Sequence, residues 1–118
     1  MASPQQDVQS WIKSTIDNND VVLFMKGRKH MAQCGFSQRV DAVLQHLGVD
    51  YKDVNVLEDQ SIREGIKAYT NWPTIPQLYV KGEFVGGCDI VMEMFQSGEL
   101  HRLIHEKGVP HTNHGTHA

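Results

Sequence analysis

Cysteine is scarce in this chain: of 118 residues only two, Cys34 and Cys88, carry a thiol. Two are too few for a disulfide scaffold and too few for a four-cysteine zinc site. They imply a reducing compartment in which at least one thiol has a chemical task. Long hydrophobic runs are also missing. No uninterrupted apolar segment approaches the roughly 20 residues that span a bilayer, and the opening MASPQQDVQSW has neither a signal-peptide core nor an Arg-rich transit pattern. The expectation is a soluble protein of the cytoplasm, or of an organelle interior if the chain is a mature form, with no membrane partner. Positive charge is not in excess either, the formal net charge being −3. That argues against the basic field with which proteins hold phosphate backbones, so no nucleic acid partner is expected. The length suits one hydrophobic core rather than two.

What is present alternates between helical and strand patterns, without repeats or an internal linker. Val8, Trp11, Ile12 and Ile16 recur at helical spacing and predict an amphipathic helix over about residues 5–18. It ends in the Asp17-Asn18-Asn19-Asp20 turn. The run VVLFM, Val21 to Met25, reads as a strand covered on both faces. Val40, Val43, Leu44 and Leu47 mark the buried side of a second helix stopped by Gly48, which puts Cys34 at or just before that helix's N-terminus. A strand through YKDVNV follows, then a helix with Asp59 as its cap and Ile62, Ile66 and Tyr69 inward. PQLYVKGEFVGG reads as a hairpin turning at Lys81-Gly82. A helix through CDIVMEMFQSG, with Asp89 near its cap and Ile90, Val91, Met94 and Phe95 inward, closes at Gly98. A last helix, about Glu99 to Glu106, carries Leu100, Leu103 and Ile104. This order predicts an α/β architecture of the thioredoxin-like kind, a four-stranded mixed sheet flanked by helices.

The chemistry gathers in KGRKHMAQCGFSQ. A dithiol redox motif would place a second cysteine three positions after Cys34, and that position is Ser37. A hydroxyl cannot resolve a mixed disulfide, because exchange requires a thiolate nucleophile. What remains for Cys34 is exchange with an external thiol, or service as a soft metal ligand. A free thiol titrates near 8.5 and is only slightly ionised at neutral pH. A helix N-terminus and a neighbouring cation, for which Lys26 is the candidate, lower that value and favour the thiolate. The plainer alternative is a buried structural cysteine; the flanking Gln33, Gly35, Ser37 and Gln38 argue for access instead.

CGFS at Cys34–Ser37, the Lys26-Gly27 pair upstream, and WPTIPQLYVKGEFVGGCDI at Trp72–Ile90 together resemble the monothiol, CGFS-type glutaredoxins of the single-domain kind. The resemblance runs from about Asp7 to Gly108. It divides the chain into an N-terminal tail (1–6), a glutaredoxin domain (7–108) and a disordered, histidine-containing C-terminal tail (109–118). Ala32 stands where many relatives carry proline.

The resemblance implies a groove for glutathione, assigned residue by residue. Cys34 is the implied reactive thiol. Lys26 and Arg63, with Lys67, are the implied partners of the glycyl carboxylate. Thr74-Ile75-Pro76 is similar to the family's cis-proline loop, where backbone at Ile75 pairs with the cysteinyl part of the ligand in the manner of an added strand. Gly87-Cys88-Asp89 opens a helix whose N–H groups would hold the γ-glutamyl carboxylate while Asp89 takes the ammonium, and Gly86 and Gly87 allow a close approach. Each position also has a plainer explanation. Arg63 and Lys67, four apart on a helix, would otherwise form a solvated face, Asp89 a cap, Trp72 a packing residue, and Cys88 either an inert thiol or a disulfide partner of Cys34 under oxidation.

Two functions fit this pattern. In the first, Cys34 from each of two protomers and the thiolates of two glutathiones hold a bridging 2Fe–2S cluster, making Cys34 the metal ligand and the chain a cluster carrier that is a homodimer when loaded. Apo iron–sulfur proteins would be recipients, and a BolA-type protein a further partner. In the second, the same pocket serves a glutathione-dependent oxidoreductase that removes glutathione from protein thiols by exchange at Cys34. The family favours the carrier, with at most weak oxidoreductase activity. His101 and His105 stand at a spacing that can hold zinc, but no third ligand is evident in the sequence, and the tail histidines point only to adventitious metal binding.

Overall fold

The apolar run VVLFM organises the molecule. In the computed structural model, which describes residues 4–112 and side chains from residue 8 onward, it forms β1 (Val21–Met25), buried along its whole length. Side chains alternate along a strand, and here both faces are covered. Val21, Leu23 and Met25 pack with Val40, Val43 and Leu44 of α2 (Gly35–His46), Val91 of α4 (Cys88–Ser97), and Leu100 and Ile104 of α5 (Glu99–Glu106). Val22 and Phe24 pack with Ile12 and Ile16 of α1 (Pro4–Asn18) and Ile66 of α3 (Gln60–Thr70). Burying one such side chain stabilises the fold by about 1.5–3 kcal/mol.

β1 pairs in parallel with β4 (Lys52–Asn55) and antiparallel with β5 (Gln77–Val80), which pairs antiparallel with β6 (Glu83–Gly86). The order β4-β1-β5-β6 is the mixed four-stranded sheet the sequence predicts, with helices on both sides. The β5–β6 hairpin turns at Lys81 and Gly82, whose φ values of 51° and 84° give the left-handed pair that matches strand twist. A second, smaller hairpin, β2 (Gly27–Arg28) and β3 (Met31–Ala32), occupies the stretch that reads as a plain loop before Cys34. Strands of two residues leave no periodicity to read.

Packing of α1 on α3 corrects two expectations. Val8, Ile12 and Ile16 form the inward row, and a side chain added at Gly65 would stand 2.5 Å from Val8 Cγ1, so the helices meet closely there. Gln9 Nε2 donates to the Gly65 carbonyl at 2.9 Å across the same contact. Trp11, one position off that row, is 43% exposed rather than inward. Tyr69, expected on the buried face of α3, is 37% exposed, its ring in a T-shaped arrangement with that of Tyr79 at 6.4 Å between centroids.

The ends differ from the expected tails. α1 already begins at Pro4. Beyond Gly108 the chain folds back: Val109 is buried in the core, and the Thr112 N–H and Oγ1 both donate to the Leu47 carbonyl at the end of α2, at 2.9 and 3.1 Å. Val109 supplies the apolar anchor that a composition dominated by His, Thr and Gly conceals. The rest of the expected C-terminal tail, 113–118, and residues 1–3 lie outside the described residues. No helix among the described residues is long and apolar enough to cross a membrane.

Candidate functional site

Cys34 takes the N-cap position of α2, with extended backbone (φ −137°, ψ 135°) and no side-chain capping bond. This is where Ser, Asp or Asn usually satisfies the first free N–H groups; here a partly exposed thiol stands there instead. Partial burial is the largest single influence and raises the thiol's pKa. The N–H groups of Ser37 and Phe36 and the Lys26 ammonium together outweigh it, so the value lies below the ordinary one for cysteine.

Ser37, in the first turn of α2, is wholly buried, and its Oγ accepts the N–H of Lys26 at 3.0 Å. The Lys26 carbonyl accepts from Gln33 N at 2.8 Å. The hairpin between Lys26 and Cys34 is held further by side chains that accept its N–H groups. Asn55 Oδ1 takes Gly27 N at 2.9 Å, Asp53 Oδ2 takes Lys29 N at 2.8 Å, and Asp41 Oδ2 takes His30 N at 3.2 Å. Asp41 is only 4% exposed, an expensive place for a carboxylate unless its oxygens are bonded. Gln45 Nε2 at 2.8 Å and the Tyr51 hydroxyl supply the remaining bonds. Burial, reinforced by Asp41, pushes the Tyr51 hydroxyl well above the usual phenol range and keeps it a donor.

Beside the thiol lies a cleft of ≈ 530 Å³. It meets the Cys34 loop through Lys26 and Phe36, Cys34 itself standing next to the lining rather than in it. α3 contributes Arg63 and Lys67, the 72–76 segment contributes Trp72 through Pro76, and the start of α4 contributes Gly87, Cys88, Asp89 and Ile90. Every residue expected to form the groove, from Lys26 to Asp89, therefore lines one cleft, with Cys34 beside it. The Ile75-Pro76 peptide is cis. Gly87 keeps the wall open, because an added Cβ would stand 3.3 Å from both Trp72 Nε1 and the Pro76 carbonyl.

Two buried donors on this wall, Arg63 Nε and Trp72 Nε1, have no hydrogen-bond partner among the described residues. Such groups cost roughly 1–3 kcal/mol each unless water or a ligand accepts from them. Three cations face one acid here, Lys26, Arg63 and Lys67 against Asp89. Lys67 Nζ is 3.8 Å from Glu64 on its own helix, a weak, partly exposed pair. Charge, orphan donors and a helix start suit an extended peptide-like ligand with carboxylates and an amine.

Asp89 is not the cap of α4. Gly87 holds that position, and Asp89 lies exposed in the first turn. Cys88 is 8% exposed, and burial raises its pKa, with Arg39 partly opposing and Asp89 reinforcing. Both cysteines are free. Trp72, read mainly as packing, does both jobs: its ring lies 5.5 Å from that of Phe84, and the residue also lines the cleft.

Sequence reasoning missed Gln77. It is fully buried at the start of β5, and its Nε2 donates to the carbonyls of Trp72 and Thr74 at 3.1 and 3.2 Å, while Oε1 accepts from Thr70 and Tyr79 hydroxyls at 3.0 Å each. It thereby fixes the loop that forms the cleft wall. The available signal was a polar residue inside the apolar run PQLYV. Phe36 was also not singled out; it is 55% exposed on the cleft rim beside Cys34. The ring of His111 packs against those of His101 and His105, at 4.9 and 5.6 Å between centroids. Among the described residues, no group of three His, Cys, Asp or Glu is placed to hold a metal ion.

Comparison with known proteins gives a consistent result. The Glutaredoxin family model matches residues 21–85. A Rickettsia typhi protein named Probable monothiol glutaredoxin 2 is 54% identical over 97 residues, covering 82% of this chain and 87% of that protein. The solution structure of a monomeric truncated mutant of Trypanosoma brucei 1-C-Grx1 matches with a TM-score of 0.81 at 42% identity, covering 87% of this chain and 94% of the other. That of reduced poplar apo GrxS14 matches with a TM-score of 0.79 at 42% identity, over 90% and 97% of the two chains.

Proposed function

The chain belongs to the glutaredoxin family, as a monothiol member, and from that premise we propose that it binds glutathione in the Lys26–Asp89 cleft and carries a 2Fe–2S cluster between protomers. Glutathione has two carboxylates, one ammonium and one thiol. The cationic side chains of Lys26, Arg63 and Lys67 answer one carboxylate, and the N–H groups at the start of α4 with Asp89 answer the γ-glutamyl end. Arg63 Nε and Trp72 Nε1, buried donors without a partner among the described residues, belong to side chains that line this cleft.

The observation that carries the reading is the single competent sulfur. Cys34 is partly exposed with its pKa lowered, the position three residues on is a buried serine, and Cys88 is enclosed with its pKa raised. One protein sulfur per chain suits a shared site in which Cys34 from two protomers and two glutathione thiolates supply four sulfur ligands. This chain's own part is to present Cys34 as thiolate and to hold glutathione with its sulfur turned toward it. Apo iron–sulfur proteins are the recipients this reading implies, with a BolA-type protein as a further partner.

Anaerobic incubation with iron, sulfide and glutathione tests it. The expected product is a coloured dimer whose formation needs both glutathione and Cys34, and Cys34→Ser abolishes it. A colourless monomer that turns over a glutathione mixed disulfide rapidly would replace the carrier with an oxidoreductase. In that exchange Cys34 attacks the glutathione sulfur and expels the substrate thiolate, and a second glutathione thiolate then releases oxidised glutathione and regenerates Cys34.

A further inference from the structure

Gln77 has no exposed surface, yet both N–H groups and both oxygen lone pairs of its amide are engaged. Nε2 donates to the carbonyls of Trp72 and Thr74 at 3.1 and 3.2 Å, and Oε1 accepts from the hydroxyls of Thr70 and Tyr79 at 3.0 Å each. A flipped amide would turn its oxygen toward two carbonyls, so these partners fix one orientation. Thr70 is the last residue of α3, the helix that brings Arg63 and Lys67 to the cleft. Trp72 and Thr74 belong to the segment that closes on the start of α4: a Cβ added at Gly87 would stand 3.3 Å from Trp72 Nε1 and 3.8 Å from Thr74 Oγ1. One buried amide therefore joins the cation-bearing helix to the loop seated against α4.

We propose that Gln77 is a positioning residue that sets the span of the cleft: by bonding Thr70 on one side and Trp72 and Thr74 on the other, it holds the α3 cations at a fixed distance from the N–H groups that open α4. This deepens the glutathione reading and rests on it for the identity of the ligand. Glutathione reaches across that span with a carboxylate at each end, and both ends bind together only when the span matches its length. γ-Glutamylcysteine keeps the γ-glutamyl end and lacks the glycyl residue. The brace thus selects for ligand length, favouring the tripeptide over the shorter dipeptide.

The test is titration of the protein alone with reduced glutathione and, separately, with γ-glutamylcysteine, each Kd being read from backbone amide chemical shifts, which also report whether a variant is folded. Gln77→Met, of similar length but without the amide, is expected to weaken glutathione about fivefold and γ-glutamylcysteine by less than about twofold. Thr70→Val removes the tie to α3 and leaves the two bonds to the loop in place. It should lower the preference for glutathione about twofold, and it carries the reading should Gln77→Met not fold. Tyr79→Phe removes a bond of the same kind that reaches no cleft-lining element, and should leave the preference unchanged. Equal weakening of the two ligands, or an unchanged preference, in Gln77→Met and Thr70→Val would overturn the proposal. A ligand-free measurement separates that outcome from failure of the glutathione reading. With Trp11→Phe leaving Trp72 as the only indole, the same two substitutions should raise acrylamide quenching of Trp72 about twofold. Absence of shifts with either ligand in the unaltered protein would remove glutathione as the occupant and the length preference with it; unchanged quenching would remove the brace itself.

Discussion

Cys34 and Cys88 both stand at the start of a helix, Cys34 as the N-cap of α2 and Cys88 as the first residue of α4, yet their thiols are pushed in opposite directions. Burial acts to raise both. At Cys34 two N–H groups and the Lys26 ammonium overcome it. Cys88 as a residue is 8% exposed, packed in the core cluster, Arg39 only partly offsets burial, and Asp89 works against ionisation. A helix N-terminus is therefore not enough to make a reactive cysteine. Access and the sign of the nearest charge decide whether the dipole end is felt.

The most severe test of this contrast is removal of the favoured sulfur. Cys34→Ser should lower total alkylation at neutral pH by about a hundredfold or more, because Cys88 is left both neutral and covered. Native-state mass spectrometry showing Cys88 labelled at a rate comparable to Cys34 would break the comparison. Next in size is a matched pair of substitutions. Cys34→Asp puts a favoured capping residue at the start of α2 and should leave stability unchanged or raise it by about 1 kcal/mol. Cys88→Asp buries a carboxylate among Val91 and its neighbours and should cost about 2–3 kcal/mol by urea unfolding.

A smaller effect is expected from Lys26→Met. Loss of the ammonium should slow Cys34 alkylation at neutral pH about threefold while leaving the thermal midpoint nearly unchanged. A fall in stability with no change in rate would make Lys26 structural instead. The smallest effect is a slope. The Cys34 pKa is lowered in the fold, so its contribution to stability is present above the unfolded-state pKa and is lost as pH falls through the folded value. The Cys88 pKa is raised, so its contribution is present below the unfolded-state value and is lost as pH rises through the folded one. Across the alkaline range, the stability differences between the unaltered protein and Cys34→Ser or Cys88→Ser should therefore change in opposite senses. Slopes of the same sign would show that one of the two environments is misassigned.

Much of this was legible before folding. Apolar runs, a hairpin turn signal and helical spacing located all four long strands and the five helices, and Asp59 does cap α3, its side chain accepting the Ser61 N–H at 2.9 Å. The cleft residues lie in four short stretches, around Lys26 and Phe36, at Arg63 and Lys67, at Trp72–Pro76 and at Gly87–Ile90, that are brought together in space. Other features could not be read, for physical reasons. Trp11 satisfies a helical pattern as well as Ile12 does, and only the close approach at Gly65 decides which side of α1 is covered. The β2–β3 hairpin depends on acceptors supplied by Asp41, Asp53 and Asn55, distant in sequence and carrying no local signal. Val109 packs because α2 and α5 leave room for it, not because its neighbours are apolar.

Sequence alone determined the kind of chemistry open to this protein: one thiol without a second in its motif, placed where a strand gives way to a helix. It also determined the mixed sheet, because the periodicity of apolar residues is a local property of the chain. The tertiary structure decided which thiol is which. Cys34 and Cys88 each open a helix, and their difference arises from burial and from charges brought near by other elements. The same holds for Ser37, which the sequence presents as a missing cysteine and the fold presents as a buried oxygen joined to Lys26. Hydrogen bonds and electrostatic fields act over ångströms, so they are set by which segments meet.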